Sequence, residues 1–344
     1  MTRTAKNIYE SICLMKNLRK AYRKARKGKG LKWYVIEFEA DLEKNLIQLQ
    51  KELLKMTYEP MPLKEFVIKD PKTRIIHAPA FRDRVVHHAI CSIIEPIFEK
   101  TYIHDSYASR RKKGMHLALL RFDEFERKVS RNRTLSPYAK NNNMTCGFAL
   151  KADIRHYFPS VDHEVLIELI EKKIGDERVI SLLKKITGTY SSGGKGMPLG
   201  ALTSQIFANI YLNPLDHFIK EKLGAKYYIR YLDDFVILHE SRQQLEEWRN
   251  EISRFLSDEL KLALHPEKTS IFPLHRGVGL LGFRCFHCYR LLKKSNVRHF
   301  LQKLEMSEKD DIQKSLEGWI AHARWGNTYK LRKRIIHGID EAYP

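Results

Sequence analysis

The stretch YYIRYLDDFVIL, Tyr227 to Leu238, decides the fold of this chain. Aromatic and β-branched residues flank it on both sides and have strong strand propensity, while Asp is a turn former. The pattern predicts two strands meeting in a tight turn, with Asp233 and Asp234 at or near the tip. Burying an unpaired carboxylate costs several kcal/mol, and two neighbouring ones repel. A divalent cation resolves that conflict. Mg²⁺ suits it, because it is held by one or two carboxylates together with substrate phosphates.

Holding two ions about 4 Å apart for in-line phosphoryl transfer takes a third carboxylate. Asp153 is the candidate, closing the strand predicted in GFALKADIRHYF, 80 residues before Asp233. That is enough chain for intervening helices and a return to the same sheet.

Of 344 residues 43% are hydrophobic, enough for a sizeable core. Lys and Arg number 62 against 41 Asp and Glu, a net charge of +21. Polyanions are the natural partners of such a chain, nucleic acid ahead of an anionic membrane surface. No window reaches the roughly 18 apolar residues of a membrane span, and no signal-peptide pattern opens the chain. A cytoplasmic protein without membrane partners is expected. The five cysteines are odd in number and scattered, which suits a reducing compartment. Cys285 and Cys288 have metal-like spacing, but no second such pair follows, so they read as small residues in or beside a strand.

Between Met1 and Lys32 eleven Lys or Arg face one acid, Glu10. This segment reads as a phosphate-tracking arm, with Arg19, Lys20, Arg23 and Lys24 among its contacts. An amphipathic helix is predicted over Glu37 to Met56, then a hairpin turning at DPKT, then a helix from Pro79. Arg111, Lys112 and Lys113 form a basic run, and Ser136 to Asn143 reads as a loop. Further helices are expected over Pro198 to Ile219 and Gln243 to Leu260, and a strand over Val278 to Phe286. The last fifty residues read as helical and basic, with Arg324, Lys330, Arg332 and Lys333 placed to meet nucleic acid.

YLDD at Tyr231, ADIRHYF at Ala152, PKTRIIHAP at Pro71, SYASRRKKGMHLAL at Ser106, HPEKTSIF at His265 and LLGF at Leu280 together resemble the reverse transcriptases, from about Pro62 to Phe286. The resemblance implies an α+β right-hand polymerase fold. Its parts would be a basic helical extension (1–60), fingers (61–146), a palm interleaved with fingers elements (147–288) and a helical thumb (289–344). It implies catalytic Asp153, Asp233 and Asp234, metal positions at these three and Ile154, and two Mg²⁺ ions with Mn²⁺ as the candidate substitute. Phe158 falls at the steric gate, where a planar ring excludes the ribose 2′-hydroxyl and selects deoxynucleoside triphosphates. Lys72, Arg74 and Arg110 fall where basic residues clamp the triphosphate. Lys268 matches the basic residue after the catalytic hairpin, and Leu280, Leu281, Gly282 and Phe283 the primer grip.

One departure narrows the class. Most of the family carry QGxxxSP entering the long palm helix, whereas this chain reads LGALTSQ, Leu199 to Gln205. The variant resembles reverse transcriptases of diversity-generating retroelements, which copy a template RNA with errors at adenines. A Gln beside the nascent base pair can hydrogen-bond a nucleotide and Leu offers only shape, so Leu199, Gly200 and Gln205 join the nucleotide-binding positions. The resemblance further implies a template RNA, an RNA/DNA hybrid and a small basic, oligomeric accessory protein as partners. No endonuclease or ribonuclease H domain is expected after about Pro344, and the short region after Phe286 argues against a self-sufficient mobile intron protein, so strand cleavage is expected to come from elsewhere. Alternatives are a group II intron-like or phage-defence reverse transcriptase and, in another class, an RNA-binding maturase-type scaffold.

Overall fold

The structure is a computed structural model describing residues 5–69, 73–137, 144–190, 193–306 and 309–342. The chain divides into two compact units: residues 1–110, 153–224 and 251–266, and residues 111–152, 225–250 and 267–344. Among the described residues no helix is long and apolar enough to cross a membrane. All five cysteines are free thiols, with Cys285 buried in a strand and Cys288 exposed.

The first unit is mainly helical. Helix Phe81–Glu99 forms because apolar residues recur at helical spacing, and Val85, Val86, Ala89, Ile90 and Ile94 are buried along it. Helix Met15–Arg26 lays Leu18, Ala21 and Ala25 against this core and turns its basic residues outward. The N-terminal segment is therefore a docked helix rather than an arm. Arg19 pairs with Glu43 at 2.7 Å, and Lys20, Arg23 and Lys24 lie on the exposed face. The helix predicted over Glu37–Met56 is two helices, Trp33–Ala40 and Leu42–Leu54, broken where Asp41 adopts φ −125° and ψ 45°. Asn45 Nδ2 donates to the Phe38 carbonyl at 3.0 Å, satisfying an acceptor that the break releases.

Strands β1 (Lys64–Ile68) and β2 (Arg74–Ala78) pair antiparallel in register Lys64↔Ala78, and the turn expected at DPKT lies, but for Thr73, outside the described residues. Helices His163–Glu171 and Glu177–Gly188 start at side-chain caps. Asp162 accepts from the Glu164 and Val165 amides, and Asp176 from the Arg178 and Tyr9 amides. Helix Leu202–His217 is buried along most of its length and passes into a π-helical turn, Phe218–Lys222.

The second unit carries both larger sheets. Strands β3 (Phe148–Asp153), β4 (Tyr227–Tyr231), β5 (Asp234–His239) and β6 (Ser270–Pro273) lie in the order β4-β5-β3-β6. Helix Met115–Val129 packs on β4 and β5 through Ala118, Phe122 and Phe125. A three-stranded sheet follows: β7 (Val278–Leu280), β8 (Phe283–Cys285) and β9 (Arg290–Leu292). The single strand expected over Val278–Phe286 is thus a hairpin, turned at Leu281 (φ 47°) and Gly282 (φ 86°). Positive φ at both central residues matches the twist of the flanking strands.

The tail is helical as expected, in helices Lys294–Glu305, Lys309–Ala323 and Tyr329–Ala342. Phe300, Leu304, Ile312 and Ile335 form their core, with Phe300 stacked on Trp319 at 4.5 Å.

Candidate active site

The opening stretch folds as its pattern predicts. β4 and β5 pair antiparallel from Tyr227↔Leu238 to Tyr231↔Asp234, leaving Leu232 and Asp233 as a two-residue turn. Leu232 takes φ 56°, a left-handed conformation that costs a non-glycine residue about 1–2 kcal/mol. Arg230, fully buried in β4, donates through Nη1 to the Leu232 carbonyl at 3.1 Å and so fixes the turn from behind.

Asp234 opens β5 beside β3. On β3 the burial alternates, Ala152 inside and Lys151 and Asp153 half-exposed, so Lys151 and Asp153 share a face. The Lys151 ammonium lies 2.9 and 3.0 Å from the two carboxylate oxygens of Asp234. Sequence reasoning passed over Lys151, although its place two residues before a candidate Asp at a strand end puts it on that residue's face. It also passed over Arg230, a charge inside an apolar strand, which was the available signal.

Asp153 belongs to the first unit, and Asp233 and Asp234 to the second. Among the described residues no group of three or more Asp, Glu, His or Cys that could hold a metal ion stands together. The donors present nevertheless fit a hard cation. Both Asp234 oxygens gather a positive charge, and carboxylates are the ligands Mg²⁺ prefers. In the first unit the Asp153 carbonyl accepts from the His265 amide at 2.7 Å, and Arg155 donates to Ala263 at 2.9 Å. These bonds flank the Ile154↔Leu264 bridge, in which the Ile154 carbonyl takes no part.

Of the expected nucleotide-binding positions, Leu199 and Gly200 lie against β2 in the first unit. The His77 amide donates to the Leu199 carbonyl at 2.8 Å. Gly200 (φ 119°) lies so close to β2 that a Cβ there would meet Ile76 Cγ2 at 2.8 Å and the His77 carbonyl at 3.3 Å. The loop carrying Leu199 is thus clamped to the strand that begins with exposed Arg74. Phe158, half-buried, packs edge-on against Tyr157 at 5.5 Å and accepts through its carbonyl from Met197 at 2.8 Å. Tyr157 is anchored to the Ala208 carbonyl at 2.7 Å. Gln205 is exposed, 3.5 Å from Ser109 Oγ.

Arg110 departs from its expected role. Its guanidinium grips Glu99 at 2.7 Å and donates to the Ile103 and Ser106 carbonyls, both at 2.7 Å, with 6% of the side chain exposed. These donors hold its own loop and are not spare for a triphosphate. Lys72 lies outside the described residues. In the second unit Lys268, Arg111, Lys112, Arg324, Lys330 and Lys333 are exposed, Lys113 and Arg332 half-buried. Leu280 and Phe283 are buried, and Leu281 and Gly282 form the turn between them.

The fold is that of the right-hand polymerases. It is similar to telomerase from Candida albicans, solved with a fragment of telomeric RNA, with TM-score 0.50 and 12% identity over 70% of this chain and 48% of that one. The chain belongs to the reverse transcriptases, the RNA-dependent DNA polymerases, whose family model matches residues 67–285. Protein YkfC of Escherichia coli (strain K12) is 28% identical over 288 residues, 72% of each chain. Group II intron-encoded protein LtrA of Lactococcus lactis subsp. cremoris is 24% identical over 318 residues, 72% of this chain and 50% of LtrA. The chain therefore spans half the length of LtrA and about half of the telomerase chain.

Proposed function

We propose that this chain copies RNA into DNA at a centre made of Asp153, Asp233 and Asp234. The observation that carries the reading is the two-residue hairpin delivering Asp233 and Asp234 in the sheet where β3, ending in Asp153, neighbours β5. Mg²⁺ held by these carboxylates would supply charge stabilisation for attack of a primer 3′-oxygen on the α-phosphorus as pyrophosphate leaves. The protein's own residues do the rest. The Phe158 ring lies against the sugar and excludes a 2′-hydroxyl, Arg74 and Lys268 meet phosphates, and the turn at Leu281–Gly282 supports the primer end.

Primer extension on an RNA template tests this, with Asp233→Asn and Asp234→Asn compared with the parent. Extension by the parent and its loss in both variants are expected; undiminished extension in the variants removes these carboxylates from the chemistry, and no extension by the parent leaves only RNA binding, the scaffold reading.

The finer reading, copying with errors at template adenines in a diversity-generating retroelement, rests on Leu199. Its main chain is pinned to β2, so its side chain meets the nascent pair from a fixed position and offers no polar check. Leu199→Gln is expected to lower misincorporation opposite adenine in sequenced products; an unchanged error spectrum refutes it. Similarity to LtrA favours a second reading, a group II intron-like enzyme. Imperfect repeats beside the gene, differing only at adenines, would decide for the retroelement. With that reading come a template RNA, deoxynucleoside triphosphates and a small basic accessory protein as partners, in the cytoplasm.

A further inference from the structure

Strand β3 places a cation against an acid of the catalytic hairpin. Lys151 Nζ lies 2.9 Å from one oxygen of Asp234 and 3.0 Å from the other, so the ammonium sits astride the carboxylate as a bound metal ion would. The contact is partly shielded from water, with side-chain exposures of 21% for Lys151 and 27% for Asp234. Among the described residues Asp234 is the partner Lys151 makes. Ala152 between Lys151 and Asp153 is fully buried, so the pleat sends the ammonium and the Asp153 carboxylate to one side of the strand.

We propose that Lys151 is a positioning residue that competes with the metal. In the metal-free enzyme its ammonium neutralises Asp234 and holds the carboxylate in place; on loading, the ion takes over those oxygens and Lys151 swings aside. An ammonium left against both oxygens occupies the ion's place and repels it, so it has to move aside as the ion binds. Lys151 therefore weakens binding of a bare ion and leaves the site to ions that arrive with further anionic oxygen, as on a triphosphate. The inference rests on the reading of Asp234 as a metal ligand.

The test is Mn²⁺ binding by the full chain without nucleotide, read from the free-ion signal in electron paramagnetic resonance, with the thermal midpoint recorded with and without Mn²⁺. Lys151→Met keeps the length of the side chain and removes its charge; Lys151→Arg keeps the charge. Discounted for partial exposure, removal of one adjacent cation is expected to tighten Mn²⁺ about tenfold. Lys151→Met should also show a larger rise in midpoint on adding Mn²⁺, and Lys151→Arg should bind like the parent. Unchanged or weaker Mn²⁺ binding in Lys151→Met overturns the proposal. Asp234→Asn separates the two ideas: if it leaves Mn²⁺ binding intact, the ligand role of Asp234 fails; if it weakens binding while Lys151→Met changes nothing, only the competition fails.

Discussion

Arg110 and Glu126 are the residues at which burial overrules what their types suggest. An Arg in a basic run reads as a phosphate ligand, yet Arg110 is enclosed by Glu99 and two carbonyls of its own loop. Nothing local marked Glu99, eleven residues earlier on a helix, as its partner. Arg110→Ala is expected to cost about 3 kcal/mol of stability, because it strands a partly buried acid and two carbonyls. The nucleotide KM of the folded fraction should stay unchanged, and calorimetry together with steady-state kinetics checks both. Glu126 is 3% exposed, and its Oε1 has no hydrogen-bond partner among the described residues. Burial pushes its carboxyl up to about 7, against the opposing pull of Arg133. The fold thus favours the protonated form, so the associated stability is present in full below the unfolded value near 4.5 and fades as pH rises through about 7. Glu126→Gln should raise the thermal midpoint little at pH 5 and most at pH 8, by up to about 3 kcal/mol of stability. A midpoint difference that stays flat with pH contradicts this.

Strands and long helices were legible because their periodicities are strong. The strand ending at Asp153 and the hairpin at Asp233–Asp234 follow from propensity and alternation alone, as does the core face of helix Phe81–Glu99. What stayed hidden were breaks decided by tertiary contacts. The division at Asp41 occurs inside a continuous apolar period, and the Leu281–Gly282 turn, which only the resemblance of LLGF to a primer grip marked, sits in a run that propensity alone reads as one strand. The packing of helix Met15–Arg26 was likewise obscured, because its six cationic side chains mask the small residues Ala21 and Ala25 that dock it. Caps carry more than propensity here. Asp162 caps helix His163–Glu171 and also meets the Lys261 ammonium at 2.9 Å. Asp162→Ala is expected to destabilise the fold by about 1–2 kcal/mol. Hydrogen exchange should report it first in the amides of Glu164 and Val165.

For the molecule as a whole, the net charge of +21 sets the terms of nucleic-acid binding. If exposed Lys20, Arg23, Lys24, Lys330 and Lys333 are among six or so phosphate contacts, affinity for template RNA should fall about 10³-fold between 50 and 200 mM salt. Filter binding across that range checks it, and a flat response would remove these residues from the interface. The order of the chain through its two units has a separate consequence. The unit that holds the first residue also needs residues 251–266, and the backbone changes unit between Ala152 and Asp153, at the end of β3. During synthesis that unit cannot be completed until residue 266 has cleared the ribosome, so its unfinished core stays open to chaperones and proteases until then. A prematurely stopped chain ending at residue 250 would lack part of both units, and no single proteolytic cut can release either one whole.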